Sequence, residues 1–167
     1  MMATVRNRLG QSALRLKSVT GALVAVLLTT APAQADVADP SDVLGAWTFQ
    51  TSTYRGGQCL MSGTMRLTPA AEDGVYGCEL TAMEVCSLWG RSLVRQSCEA
   101  RRFGNQVSIR SQIEEMLESK MQHDGLQLTY VPDNFALTIQ NAQRMFGSLV
   151  SAVSAPVEFR RAESGIS

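Results

Sequence analysis

The sequence predicts an all-β domain: an antiparallel up-and-down meander of eight or nine strands that closes into a small barrel. Three observations predict it. Apolar and polar residues alternate with a period of two through most of residues 45–161, broken by turn residues. Four cysteines, Cys59, Cys78, Cys86 and Cys98, fall where neighbouring strands would set them opposite one another. The alternation leaves one face of the sheet apolar, and such a sheet must close or fold on itself to bury that face. A barrel does so most simply, and a two-sheet sandwich is the alternative.

The strands are expected at 45–53, 59–68, 75–86, 93–103, 106–113, 126–131, 134–140, 144–151 and 156–161. Short turns then fix the registers. Folding 59–68 onto 75–86 across Pro69–Gly74 sets Met65 opposite Leu80, Gly63 opposite Ala82 and Cys59 opposite Cys86. Folding 75–86 onto 93–103 sets Ala82 opposite Val94, Leu80 opposite Gln96 and Cys78 opposite Cys98. The return through Gly104-Asn105 sets Ala100 opposite Ile109 and Cys98 opposite Ser111. The first hairpin, turning at Arg55-Gly56-Gly57, sets Trp47 opposite Met65, Phe49 opposite Gly63 and Thr53 opposite Cys59. Leu126, Leu128 and Tyr130 are expected to face Ile139, Leu137 and Phe135 across Pro132-Asp133. Met145, Gly147, Leu149, Val157 and Phe159 continue the inner face. Charges played no part in choosing these registers, yet they set Arg66 against Glu79 and Glu99 against Arg110, which mildly favours the pairings. Glu114–Gln122, EEMLESKMQ, is the one helix-favouring piece, expected as a short helix across a barrel end or as a long hairpin tip.

Cys78 and Cys86 are eight residues apart on one expected strand, which puts their Cα atoms roughly 26 Å apart, too far to bond to each other. The registers favour Cys59–Cys86 and Cys78–Cys98 over the alternative of Cys59–Cys78 with Cys86–Cys98. Disulfides of this kind belong to an oxidising compartment. The N-terminal segment agrees. Arg6, Arg8, Arg15 and Lys17 precede or flank the apolar run Val19–Leu28, and Ala33-Gln34-Ala35 is a cleavage signal. Residues 1–35 are therefore expected to be a secretory signal peptide, 36–43 a flexible arm, 44–162 the barrel and 163–167 a disordered tail. Four of the 15 basic residues and none of the 15 acids precede the cut, leaving a mature net charge of −4. That balance argues against nucleic acid, whose phosphates demand clustered Lys and Arg. No second segment is apolar and long enough for a membrane helix, so no span is expected after cleavage.

Catalytic patterns are sparse. A Ser–His–acid triad needs a placed imidazole, and the lone His123 sits beside Asp124-Gly125 in a turn-like stretch. Two disulfides leave no thiol for nucleophilic or metal chemistry. No phosphate-binding loop or dinucleotide fingerprint occurs. Glu114 and Glu115 are adjacent and would point opposite ways on a strand, and Asp39 and Asp42 lie in the arm. No enzyme activity, cofactor or metal is expected. What remains is binding. Trp47, Met61, Met65, Glu84, Gln96 and Arg102 fall on the inner face and are the candidate ligand lumen. Glu84 and Arg102 are either charged anchors for a ligand or rim residues with their heads in water. Trp89, at a hairpin tip beside Leu88, is either an exposed partner contact or a plug for one barrel end; Asp36, Val37 and Asp39 of the arm are further candidate partner contacts.

Leu44-Gly45-Ala46-Trp47 resembles the Gly-x-Trp signature that opens the first strand of lipocalin- and avidin-type (calycin-type) barrels, in which the Trp closes one barrel end. Two bacterial exported groups resemble the chain further. One is the small periplasmic metalloprotease inhibitors, with a Gly-x-Trp first strand and a Cys heading the second, here Gly45, Trp47 and Cys59. That resemblance implies an N-terminal arm, Asp36–Val43 here, that enters a protease cleft. The chain departs from that pattern in having four cysteines and a longer second half. The other is a group of uncharacterised exported proteins with similar cysteines and a similar ending from Tyr130 to Arg161. The expectation is a non-catalytic periplasmic or secreted binding protein for a small apolar molecule or an envelope protein. The alternatives are a protease inhibitor acting through the arm and an envelope accessory subunit acting through Trp89 and the outer face.

Overall fold

The computed structural model describes residues 42–123, 126–127 and 129–162, without the side chains of 122, 123, 126 and 127. The expected signal peptide, most of the arm, the C-terminal tail and Leu128 lie outside the described residues, as does the side chain of His123. Nine strands follow in order: β1 (Gly45–Thr51), β2 (Cys59–Pro69), β3 (Val75–Cys86), β4 (Gly90–Phe103), β5 (Gln106–His123), β6 (Leu126–Gln127), β7 (Asn134–Asn141), β8 (Arg144–Val150) and β9 (Ser154–Arg161). All pairings are antiparallel. The spatial order β4-β3-β2-β1-β9-β8-β7-β5 is joined end to end by β4–β5, which closes an eight-stranded barrel; β6 pairs only with the tip of β5.

The first three hairpin registers match the sequence pattern. Met65 lies opposite Leu80 and Cys59 opposite Cys86. Leu80 faces Gln96, and Cys78 faces Cys98. Both disulfides form, Cys59–Cys86 with Cα atoms 4.1 Å apart and Cys78–Cys98 with Cα atoms 4.8 Å apart. β3 is thus tied to β2 at one end of the barrel and to β4 nearer the other. Arg66 and Glu79 stand opposite each other, as do Glu99 and Arg110.

Two local expectations need correction, and one open alternative is decided. Thr53 does not face Cys59. β1 stops at Thr51, and Tyr54 takes that position, exchanging backbone hydrogen bonds of 2.9 and 3.1 Å with Cys59. The turn carries Arg55, Gly56 and Gly57 at positive φ, so it is tighter than the assumed loop. Second, the strand expected at 126–131 does not pair with 134–140. β7 instead pairs with β5, Ile109 opposite Phe135 and Val107 opposite Leu137. Pro132 has no N–H to give a ladder, and Asp133 turns its backbone N–H to the Gln96 side chain. Third, Glu114–Gln122 is strand, the upper half of an 18-residue β5, which realises the hairpin-tip alternative. Its acids pair across the ribbon: Glu115 meets Arg95 at 2.5 Å and Glu118 meets Arg91 at 3.0 Å. Cross-strand pairing therefore overrides helix propensity here. Two register shifts in the β4–β5 ladder bend this ribbon where it rises past β7.

The barrel interior is filled along most of its length. Trp47, Met61, Met65 and Leu80 are each at most 2% exposed. Phe49, Phe135 and Phe159 form a ring cluster with centroids 5.0 to 5.3 Å apart. Gly63 makes room for it: a Cβ there would lie 2.6 Å from the Phe49 ring and 2.0 Å from Thr81 O. The small inner residues at this level complement large neighbours and do not open a cavity. One barrel end is sealed. Trp47 donates its indole N–H to Val43 O at 2.9 Å. The Arg161 guanidinium lies 4.5 Å from the Trp47 ring centroid and donates to Asp42 O at 2.7 Å, Leu44 O at 2.5 Å and Ala142 O at 2.7 Å.

Candidate functional site

The opposite end holds a cavity of about 140 Å³. Its floor is Met61 on β2 and Glu84 on β3. Its walls are Ser92 on β4 and Met116, Ser119 and Met121 on β5. Thr129–Val131 and Asp133, from the coil before β7, and Ser151–Val153, from the β8–β9 turn, complete it, with Arg55 and Trp89 at the rim. The strand period explains the β5 contribution. Ser119 lies opposite buried Ser92, and Met116 lies opposite buried Val94, so both fall on the inner side of the flared ribbon, while Glu115 and Glu118 face outward to their arginines.

Asp133 organises the polar side of this mouth. It is 0% exposed. Its Oδ2 accepts from the Gln96 amide and from the Tyr130 hydroxyl, both at 2.6 Å. Its backbone N–H donates to Gln96 Oε1 at 3.0 Å, and its carbonyl accepts from Ser111 Oγ at 2.6 Å. Oδ1 has no hydrogen-bond partner. Ser151 is close enough to favour the carboxylate, but its hydroxyl donates to Val131 O at 3.2 Å. Burial pushes the Asp133 carboxyl up to about 6, a rise that the hydrogen bonds from Tyr130 and Gln96 hold back and the nearby Glu84 increases. A second acid, Glu84, is 8% exposed and accepts from the Tyr54 hydroxyl at 2.6 Å. Burial, and then the hydrogen bond to Glu84, hold Tyr54 well above its ordinary range; burial, and then the charge of Asp133, do the same to Tyr130. Both phenols therefore stay neutral donors. Ser92 Oγ, facing the same space and 2% exposed, has no partner.

The lumen candidates separate along the barrel axis. Met61 and Glu84 line the mouth cavity. Gln96 is fully buried below it and reaches it only through Asp133. Trp47 belongs to the sealed end, and Met65, opposite Trp47, to the filled core. Arg102 stands at the sealed end too, its guanidinium donating to Gly104 O at 2.8 Å in the β4–β5 turn. Glu84 and Arg102 thus sit at opposite ends of the barrel and do not share a site. Trp89 folds back over the mouth, half-buried against the core, with Arg55 stacked 5.1 Å from its ring centroid. Asp36, Val37 and Asp39 lie outside the described residues. Asp133, Ser92 and Tyr130 were not singled out from the sequence as site residues. Asp133 follows a proline in a turn-like dipeptide, and nothing in the alternation marks it as buried.

Among the described residues, the cluster with metal-donor chemistry is Cys59, Cys86 and Glu84, whose ligand atoms lie within 4.8 Å of one another. Both sulfurs are bonded to each other, so neither is a thiolate donor. No helix of the described residues is long and apolar enough to cross a membrane. In comparisons with protein-family models, curated proteins and solved structures, none matched this chain.

Proposed function

We propose that this chain is a non-catalytic binding protein of the periplasm or the secreted fraction, and that its ligand is a small molecule taken into the barrel mouth. One observation carries the reading: among the described residues the barrel interior is filled along most of its length, and at this mouth a cavity of about 140 Å³ is lined by apolar side chains and by Asp133 and Ser92, each with a buried polar atom that lacks a hydrogen-bond partner. A void of that size accommodates a molecule about as large as benzene. The extended apolar ligand expected of an open lumen is disfavoured by the packing of Trp47, Met65 and Leu80. Export is supported by the two disulfides together with the N-terminal basic-apolar-AxA pattern. Kinship with lipocalin- and avidin-type barrels belongs to the same reading and is supported by the closed meander and the Gly45-Ala46-Trp47 opening.

Protease inhibition through residues 36–43 is the weaker alternative, because Val43 is 1% exposed and Asp42 and Leu44 are held by Arg161. Docking of an envelope partner through Trp89 is weakened by its half-burial beneath Arg55. A thermal-shift screen of molecules of roughly ten heavy atoms or fewer tests the proposal. Ligands that raise the melting temperature of the wild type but not of Met121→Trp, which fills the cavity, are the expected result. A screen without ligands, or ligands indifferent to Met121→Trp, would sink it.

A further inference from the structure

We propose that the mouth is a site for a small primary amine bound as its ammonium, with Asp133 as the counter-charge and Glu84 and Ser92 as companions; this rests on reading the mouth as the ligand site. Asp133 is a buried acid with one oxygen doubly hydrogen-bonded and the other without a partner, the nearby Ser151 hydroxyl being turned to Val131 O. An ionised carboxylate of that kind is costly unless a donor or cation completes it. Its carboxyl titrates at about 6, so it is charged at neutral pH despite its burial. Among the described residues, the side chains that hydrogen-bond to it, Gln96 and Tyr130, are neutral donors, and none supplies positive charge.

The second acid is Glu84. Its partner, Tyr54, is likewise a neutral donor. Among the described residues, Arg55 is the one base on the cavity wall, and it is exposed and stacked on Trp89 at the rim. Ser92 stands opposite Glu84 in the β3–β4 ladder and offers an oxygen with no partner. The lining therefore presents two acids and a bare hydroxyl to the space, which matches a head group with several N–H donors and one positive charge. An anion finds two carboxylates there, and a neutral alcohol leaves the buried charge uncompensated. The apolar remainder, Met61, Met116 and Met121 with the Trp89 ring, suits a short hydrocarbon or aromatic body.

The test uses three molecules of one shape and different charge: benzylamine, benzyl alcohol and benzoate, titrated into the oxidised protein near pH 7.5 and followed by ligand-observed NMR. The expected result is that benzylamine binds more tightly than benzyl alcohol by roughly tenfold to a hundredfold, the range for a hydrogen-bonded charge, and that benzoate does not bind. Asp133→Asn is expected to erase the preference for the amine over benzyl alcohol. Ser92→Ala, a milder change in the same wall, is expected to weaken the amine more than the alcohol, and it keeps the test open if Asp133→Asn misfolds. Equal binding of amine and alcohol overturns the amine assignment and leaves the mouth as a ligand site. Binding of none of the three overturns both, and tightest binding of benzoate overturns the charge argument outright.

Discussion

Asp133 has a carboxyl whose two oxygens live in different surroundings, and this difference has a thermodynamic signature. In the unfolded chain it loses its proton near the ordinary 3.8; in the fold burial delays that loss to about 6. Between those values the native state holds more protons than the unfolded state, so stability falls as pH rises from about 4 through 6 and levels off above. At ~1.4 kcal/mol per pH unit the loss amounts to at most about 3 kcal/mol. Glu118 and Glu158, lowered by hydrogen bonds to Lys120 and Arg144 respectively, pull the other way only at lower pH, where they protonate. The difference between wild type and Asp133→Asn therefore isolates the effect. Urea unfolding at about pH 4.5 and pH 8 is expected to show Asp133→Asn gaining on the wild type at the higher pH; a difference that does not change with pH would refute the burial of a bare carboxylate. Gly63 makes the opposite point about size. A methyl there meets backbone Thr81 O at 2.0 Å and the Phe49 ring, both rigid, so Gly63→Ala is expected to cost roughly 1–3 kcal/mol or more, read as a lower urea midpoint at unchanged slope.

β5 carries two environments along one strand. Over residues 106–109 it lies between β4 and β7; from Ile113 to Met121 it is laddered to β4 alone. Amide hydrogen exchange is expected to be slower over 106–109 than over 113–121, since protection follows pairing on both sides and burial. Uniform protection along the strand would mean a neighbour for the upper ribbon that the fold lacks. This element also marks where sequence reading stops working. The registers of β1 to β4 were legible because their turns are short, their apolar residues alternate and paired cysteines and charges checked the sums. β5 beyond Ile113 was not, because Glu, Met, Leu and Lys favour a helix in isolation and only the arginines of β4, distant in sequence, favour the strand. β7 pairing was misread because Leu126 and Leu128 mimic an inward-facing strand, while the actual partners Val107 and Ile109 lie much earlier in the chain. The site was partly legible. Glu84 and Met61 follow from alternation, but Asp133 sits in a coil, where no period applies.

At the scale of the whole molecule, the two disulfides bracket β3 from opposite sides, closing loops of 27 and 20 residues. Each is worth roughly 3 kcal/mol on the loop-entropy account. Together they approach the entire stability of an ordinary small domain, about 5–15 kcal/mol. Reduction is therefore expected to lower the melting temperature sharply, and the double replacement Cys59→Ser with Cys78→Ser is expected to leave little native near-UV circular dichroism at 37 °C. A variant that melts within a few degrees of the wild type would show that the packed interior alone holds the barrel.

The seal around Trp47 has a consequence for how the domain can be attached to anything else. β1 begins and β9 ends there: Trp47 lies opposite Arg161, and the Ala162 N–H donates to Ala46 O at 2.9 Å. Residues 42 and 162 thus leave the barrel side by side, at the pole farthest from the mouth. A short linker could join them, with new ends cut in the turn between β2 and β3 or between β7 and β8, and every pairing of the barrel would survive. A tag, tether or neighbouring domain entering at either of these residues starts from the closed pole, leaving the cavity directed outward like the bowl of a cup held by its base.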